Sequence, residues 1–362
     1  AKSFYSIEND STTYYSNNKN KYDQIPRLNK VIILKNIKST SLVWKNEGVS
    51  LIDLGDGIMN IEFHTKLNSI GKEVIEGINK GIELGEKQYK GIVIGNQGEH
   101  FSAGADISMI FTLIVEQEWK LLEEAVRTFQ NTSMRIRYSS VPIVVASHGL
   151  TLGGGCEFSL HADAIQAAAE TYMGLVELGV GLIPGGGGTK EMALRASDLY
   201  YNGDIELPRI KEYFINIGQA KVATSAYEAF ELGYLQNGKD NITINSHKVI
   251  QDAKNKAMYL DSLGYTKPIQ RKDIKVLGSE ALGMFLVGAD TFKEGNYITN
   301  HEKLMCEKLA YVLCGGDLSS STTVSEQYLL DIEREAFLSL CGEAKTLDRI
   351  KHMLEKGKPL RN

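Results

Sequence analysis

Short apolar runs alternate with amphipathic stretches along the first two thirds of the chain, and helical periodicity dominates the rest. Leu51-Ile52-Asp53-Leu54 and the alternating Met59, Ile61 and Phe63 flank Asp56-Gly57, the pair a two-residue hairpin turn requires. Residues 69–87 carry Val74, Ile75, Ile78 and Ile82 on one helical face. Gly91 to Ile94, Pro142 to Ala146 and Ala164 to Ala169 read as buried strands. Residues 115–138 predict a second helix with Trp119, Leu122, Val126 and Phe129 on one stripe. Strands alternating with helices predict an α/β body with crossover connections.

Ahead of the hairpin, residues 1–48 are polar and read as an N-terminal extension or linker. The tract Ser16 to Lys21 is a surface loop, and Val31 to Leu34 and Leu42 to Trp44 are short apolar pieces that dock onto something else. Beyond the strands, Asp204 to Pro208 reads as a loop and residues 219–233 and 245–262 as helices. Two tail helices follow: Leu304 to Leu313, stopped by Gly315-Gly316, and Leu329 to Leu340. The expected division is an extension (1–48), a catalytic core (49–240) and an all-helical C-terminal region (241–362).

The formal charge is −5, which argues against a nucleic-acid binder relying on net positive charge. No apolar run reaches about 18 residues, so no membrane span is expected. Cys156, Cys306, Cys314 and Cys341 are widely spaced, without a CxxC pair or a metal-ligand pattern. Reduced thiols and a cytoplasmic location are expected.

The 35 glycines concentrate in three places: Phe101 to Ile107, Leu152 to Glu157 and Pro184 to Thr189. Glycine lets a ligand approach the backbone closely, and a helix start offers unpaired N–H groups to developing negative charge. None matches a nucleotide loop: GxxxxGK[ST] and GxGxxG are both absent from these stretches. Two acids stand beside them. Glu157 follows the triple glycine Gly153-Gly154-Gly155, and Glu177 lies among Leu175, Val176, Leu178 and Val180. An acid in apolar surroundings acquires a raised pKa and can serve as a proton donor near neutrality. The blander alternatives are a tight strand-to-helix turn for the glycines, a first-turn helix acid for Glu157 and an exposed edge-strand acid for Glu177.

Taken in order, Phe101-Ser102-Ala103-Gly104-Ala105-Asp106-Ile107, Pro142 to Gly149 leading into Gly153-Gly154-Gly155-Cys156-Glu157, Gly174-Leu175-Val176-Glu177, and Ile183 to Thr189 resemble the crotonase (enoyl-CoA hydratase/isomerase) superfamily over roughly residues 50–240. Trp44-Lys45-Asn46, Phe63 to Ser69 and the ending Gly357 to Asn362 look like a narrower group, long bacterial β-oxidation proteins in which a 3-hydroxyacyl-CoA dehydrogenase portion precedes the hydratase portion.

The resemblance implies a crotonase-like (ClpP/crotonase) ββα spiral core. It places an oxyanion hole at the backbone N–H groups of Ala105 and Gly154. Glu157 would deprotonate the water attacking C3 of a trans-2-enoyl-CoA, and Glu177 would deliver a proton to C2. The coenzyme A arm would run past Lys66, Leu67, Ala103 and Ile107. No metal or redox cofactor is implied, and trimer-based homo-oligomers built on C-terminal helices are common in the family. His64, His148 and His161 lack any nucleophile pattern beside them and read as structural; Cys156 reads as a small packing residue. The alternatives are a Δ3-Δ2-enoyl-CoA isomerase, a non-catalytic CoA-binding module, and a fragment whose parent's activity is an NAD-dependent 3-hydroxyacyl-CoA dehydrogenase. Retention of both acids favours hydration.

Overall fold

The structure is a computed structural model that describes residues 3–8, 11–25, 31–201, 203 and 205–362. An N-terminal antiparallel meander (β1 Tyr5–Glu8, β2 Ser11–Ser16, β3 Lys21–Gln24) turns through the polar tract at 17–20. Helix α1 (Leu34–Ser41) follows, and then β4 (Leu42–Lys45), β5 (Val49–Asp53) and β6 (Ile58–Phe63) form a second meander. Asp56 and Gly57 both take positive φ in the β5–β6 turn, as the sequence requires. Leu42 to Trp44, expected to dock onto something else, does so by pairing with β5 as the edge strand of the main sheet.

Parallel crossovers build the rest of that sheet. Helix α2 (Lys72–Gln88) leads to β7 (Gly91–Ile94). Helices α3 (Ile107–Val115) and α4 (Trp119–Arg137) lead to β8 (Ile143–Leu152), and α5 (Gly154–Leu160) leads to β9 (Ala164–Gly174). Helices α6 (Gly188–Asp198), α7 (Leu207–Gly218) and α8 (Ala226–Glu231) precede β10 (Asn241–Thr243) and α9 (Val249–Ser262). The seven strands lie in the order β10-β9-β8-β7-β6-β5-β4, so the sheet crosses both of the divisions expected at 48/49 and 240/241. Alternate side chains serve opposite faces. Met59, Ile61, Ile92 and Ile94 join Val74, Ile78 and Ile82 of α2, while Ile58, Val93, Val144 and Ala146 meet Val249, Ile250, Ala253 and Ala257 of α9.

Four expectations need correction. The helix expected over 115–138 is α4 and starts later, at Trp119: the chain breaks at 116–118, with Gln117 at positive φ, α3 ends before the break, and Trp119 is 44% exposed while Leu122 and Val126 are buried. The helix expected over 219–233 is only α8, because α7 has already ended at Gly218. Pro208 sits in the first turn of α7, where its missing N–H costs nothing, and Asp204 lies outside the described residues. The tail holds four helices, not two: α10 (Gly278–Glu294), α11 (Asn300–Leu313), α12 (Glu326–Cys341) and α13 (Ala344–Lys356). Nor is it all helical, because β11 (Ile274–Val276) pairs with β12 (Thr322–Val324). Helix α10 escaped notice because Met284, Val287 and Phe292 are exposed and blur its apolar stripe. The tail folds back on its own chain, packing α11 on α6 and α7, α12 on α4 and α6, and α13 on α3.

A stripe of Gly77, Gly81 and Gly85 lets α2 approach the sheet closely. A Cβ on Gly77 would stand 2.5 Å from Val49 Cβ, the rigid root of a β-branched side chain. Gly77→Ala should therefore lower stability by about 1–3 kcal/mol in urea unfolding, despite alanine's better helix propensity, and Val49→Ala in the same chain should recover part of the loss. A stabilised Gly77→Ala chain would show that the helix can lift off the sheet without cost.

Candidate active site

A second layer of extended chain stands at the end of β8. The amide of Phe101 donates to His148 O, that of Ser102 to Leu150 O and that of Ala103 to Leu67 O, while Ile70 N–H donates to Gly104 O. Ser102 is fully buried and locks the corner: its hydroxyl donates to Asn68 O at 2.8 Å and accepts from Gly104 N–H at 3.1 Å. Gly104 takes φ +109°, and a Cβ there would lie 3.2 Å from Leu152 O. Gly153 takes φ +49° as β8 turns into α5, with its N–H donating to Gly174 O.

Both turns demand glycine, and together they bring Ala105 and Gly154 side by side. A Cβ built on Gly154 would stand 3.2 Å from the Ala105 nitrogen. Neither amide donates a hydrogen bond among the described residues. The Phe129 ring stacks on Phe158 at 4.5 Å and closes the floor, since a Cβ on Gly154 or Gly186 would strike it at 2.7 or 2.5 Å. Sequence periodicity gave Phe129 a place on the α4 stripe but not this contact.

The acids approach from opposite sides. Glu157, in the first turn of α5, is buried, and its Oε1 accepts from the amides of Gly186 and Gly188, both at 2.8 Å. The third glycine cluster therefore spends these N–H groups on a carboxylate of the same chain rather than on a ligand. Burial drives the Glu157 carboxyl well above its ordinary range, the charges of Glu177 and Glu333 add to this, and the two amides oppose it. Glu177 opens a short 3₁₀ turn, Glu177–Val180, not an edge strand. Its Oε1 reaches Gly153, at 3.2 Å from where a Cβ would stand. Its Oε2 is buried without a hydrogen-bond partner among the described residues. Burial pushes Glu177 up to about 8, with the backbone amides of Glu177 and Val176 opposing and the Glu333 charge adding.

The remaining sequence-derived residues fall into place around this centre. Lys66 and Leu67 are exposed on the loop that receives the Ala103 amide, and Leu67 takes positive φ. Ile107 is the first residue of α3, which Asp106 caps through Ser108 N–H. These four residues thus share one rim beside Ala105. Leu67 also lines a cavity of about 450 Å³ with Lys35, His64, Asn68 and His100. His161 is a strut: its Nδ1 pairs with Glu157 O at 2.7 Å and its Nε2 with Lys190 Nζ at 2.9 Å, and burial followed by the Lys190 charge keeps it neutral. His64 meets Ser50 and His148 meets Gly98 O. Burial raises the Cys156 thiol far above its usual value, so it is no nucleophile. Among the described residues, no group of three or more His, Cys, Asp or Glu could hold a metal ion, and no helix is long and apolar enough to cross a membrane.

Sequence reasoning missed Glu333, on α12, a third buried carboxyl facing this pair. Its position in an ordinary amphipathic helix, with Leu329, Ile332, Ala336 and Leu340 on one face, gave no signal.

A carboxyl whose folded proton affinity is raised adds stability that is complete below the unfolded carboxyl range and lost as pH rises through the folded value. For Glu177 that loss runs from about pH 5 to about pH 8. The urea midpoint should therefore fall across this window, and Glu177→Gln should flatten the fall; an unchanged slope would show that Glu177 does not hold the proton.

Residues 53–196 match the family model described as "Enoyl-CoA hydratase/isomerase". A Bacillus subtilis protein named "Probable 3-hydroxyacyl-CoA dehydrogenase" is 45% identical over all of this chain and 45% of its own length. The "Putative fatty acid oxidation complex trifunctional enzyme" of Rickettsia felis is 27% identical over 88% of this chain and 40% of its own. The chain thus spans less than half the length of these curated relatives. In fold, it is similar to a crystal structure of an enoyl-CoA hydratase from Bacillus halodurans, with a TM-score of 0.56 and 18% identity over 84% of this chain and 99% of that one. Residues 53–196, which hold the glycine turns and both acids, are thus similar to the enoyl-CoA hydratase/isomerase family, and the chain's fold is similar to that of a solved enoyl-CoA hydratase.

Proposed function

We propose that the chain hydrates the 2,3 double bond of a trans-2-enoyl-CoA. The observation that carries this reading is the unequal treatment of two neighbouring acids beside two free amides. Glu157 is held by two main-chain donors, as suits a base that begins ionised. Glu177 has an oxygen with no donor, as suits an acid that begins protonated. The two acids are coupled and titrate as a unit, so the proton they hold belongs to the pair, and the productive form is the one with that proton on Glu177.

In this reading Glu157 takes a proton from a water molecule whose oxygen bonds to C3. The C2–C3 π electrons pass into the thioester, and the negative charge on its oxygen lies between the N–H groups of Ala105 and Gly154. One such donor is worth about 3–4 kcal/mol to a transition state. Glu177 then gives its proton to C2 as the enolate collapses. Passage of the proton from Glu157 to Glu177 restores the starting state. Amides, acids and water suffice, so the reading asks for no metal or redox cofactor, and acyl-CoA enters as substrate. The rim of Lys66, Leu67, Ala103 and Ile107 would carry the coenzyme A arm. A dehydrogenase portion in a longer parent chain, β-oxidation as the setting, a homo-oligomeric assembly and a cytoplasmic location belong to the same reading, supported by the relatives' names and by four free thiols.

Crotonyl-CoA in solution with the chain should lose its conjugated enoyl-thioester absorbance. Glu157→Gln and Glu177→Gln should each lower kcat by about 10²–10⁴-fold with little change in KM. Undiminished turnover in both variants would overturn the reading, and turnover of a 3-enoyl-CoA alone would replace it with isomerisation.

A further inference from the structure

The C-terminal region brings its own carboxylate to this centre. Glu333 of α12 is fully buried. Its Oε1 accepts from Gly187 N–H at 2.7 Å and from Gln130 Nε2 at 3.1 Å, and its Oε2 accepts from Lys190 N–H at 2.8 Å. The orientation of the Gln130 amide is fixed independently. Arg334 Nη1 donates to Gln130 Oε1 at 2.9 Å, so the end of Gln130 that faces Glu333 must be the donor. Three donors without an acceptor fit a carboxylate that is ionised.

The amides of one turn alternate between two acids: Gly186 and Gly188 serve Glu157 of α5, and Gly187 and Lys190 serve Glu333 of α12. The turn is gripped from both sides by carboxylates from distant parts of the chain.

The charged and titratable groups around Glu333 come from several elements. Lys190 lies on α6, its ammonium turned to His161, Glu191 and Glu326 at 2.9, 3.3 and 3.2 Å. Arg334 lies on α12 itself and is paired with Asp331 at 2.7 Å. Glu157 and Glu177 face it from α5 and the 3₁₀ turn, and the charge of Glu333 raises the proton affinity of both. Its own carboxyl is pushed up to about 7 by burial, against the pull of the donors and Lys190.

Resting on the hydration reading, we propose that Glu333 is a positioning residue of the site: it clamps the turn that holds Glu157, and its negative charge helps the acid pair keep its proton. It touches no substrate. Its action on Glu177 is electrostatic, and its action on Glu157 runs through the shared turn.

Glu333→Gln removes the charge and presents an N–H₂ group to one of the donors. The alkaline limb of the kcat/KM–pH profile for crotonyl-CoA should then move toward lower pH by on the order of one unit, with KM little changed. Glu333→Asp keeps the charge but shortens the reach, so kcat should fall while the limb stays in place. A Glu333→Gln profile that keeps its shape and only loses amplitude would reduce Glu333 to a packing role. Should that variant not fold, the aspartate variant decides, and unchanged kcat there would remove the clamp.

A second readout needs no turnover. Infrared difference titration of the carboxylic-acid carbonyl stretch should show the Glu177 proton leaving at lower pH in Glu333→Gln than in the parent, with Glu177→Gln identifying the band. If the band shifts but the parent does not hydrate crotonyl-CoA, the hydration reading fails and the electrostatic role of Glu333 stands. If the parent hydrates crotonyl-CoA and the band does not move, the proposal about Glu333 fails alone.

Discussion

Three carboxyl groups buried together cannot all be charged, and the fold has only a few donors to share among them. Isolated burial of one carboxylate costs several kcal/mol unless hydrogen bonds or cations compensate. The glycine turn at 185–188 supplies most of what is available, because without side chains its amides are free to point at neighbouring elements. Glu157 and Glu333 take those amides, and Glu177 is left with a buried oxygen that nothing supports. Scarcity of donors thus raises the proton affinity of all three carboxyls. Beneath them, Lys190, Arg137 and Arg195 neutralise Glu191 and Glu326, so the surrounding ionic network spends its cations on other acids.

Much of the core could be read from the sequence because its signals are local. The β5–β6 turn needs positive φ at Asp56 and Gly57, and the strands alternate as a sheet covered on both faces must. Glu157 and Glu177 stood out because each sits beside glycines or within an apolar run. Glu333 did not, because a buried acid in an amphipathic helix looks like any solvent-facing acid until the opposing surface is known. The alternation of Gly186, Gly187, Gly188 and Lys190 amides between two acids joins residues more than a hundred positions apart, and no local pattern encodes such a join. The helix boundaries at 116–118 and 218 were missed because their local signals are weak: Gln117 takes positive φ without being a glycine, and Gly218 is a single glycine at the end of α7.

The tail serves the site as much as it covers the core. Thr346 of α13 donates its hydroxyl to Gly181 O at 2.8 Å and accepts from His301 Nε2–H at 3.0 Å, while Arg349 donates to Leu178 O at 3.3 Å. The turn that presents Glu177 is therefore tied to α13 at Leu178 and Gly181, and the glycine turn whose amides hold Glu157 is tied to α12. The helices expected as an appendage are the outer wall of the acid pair.

This wall is made after the core it encloses. A nascent chain emerges from its N-terminus, and domains assemble as they are synthesised. The sheet, the amide cradle and both inner acids leave the ribosome well before Glu333, Thr346 and Arg349 do. Without α12 the turn that holds Glu157 would lose the carboxylate on its other side, so the centre is complete only once α12 and α13 have been synthesised.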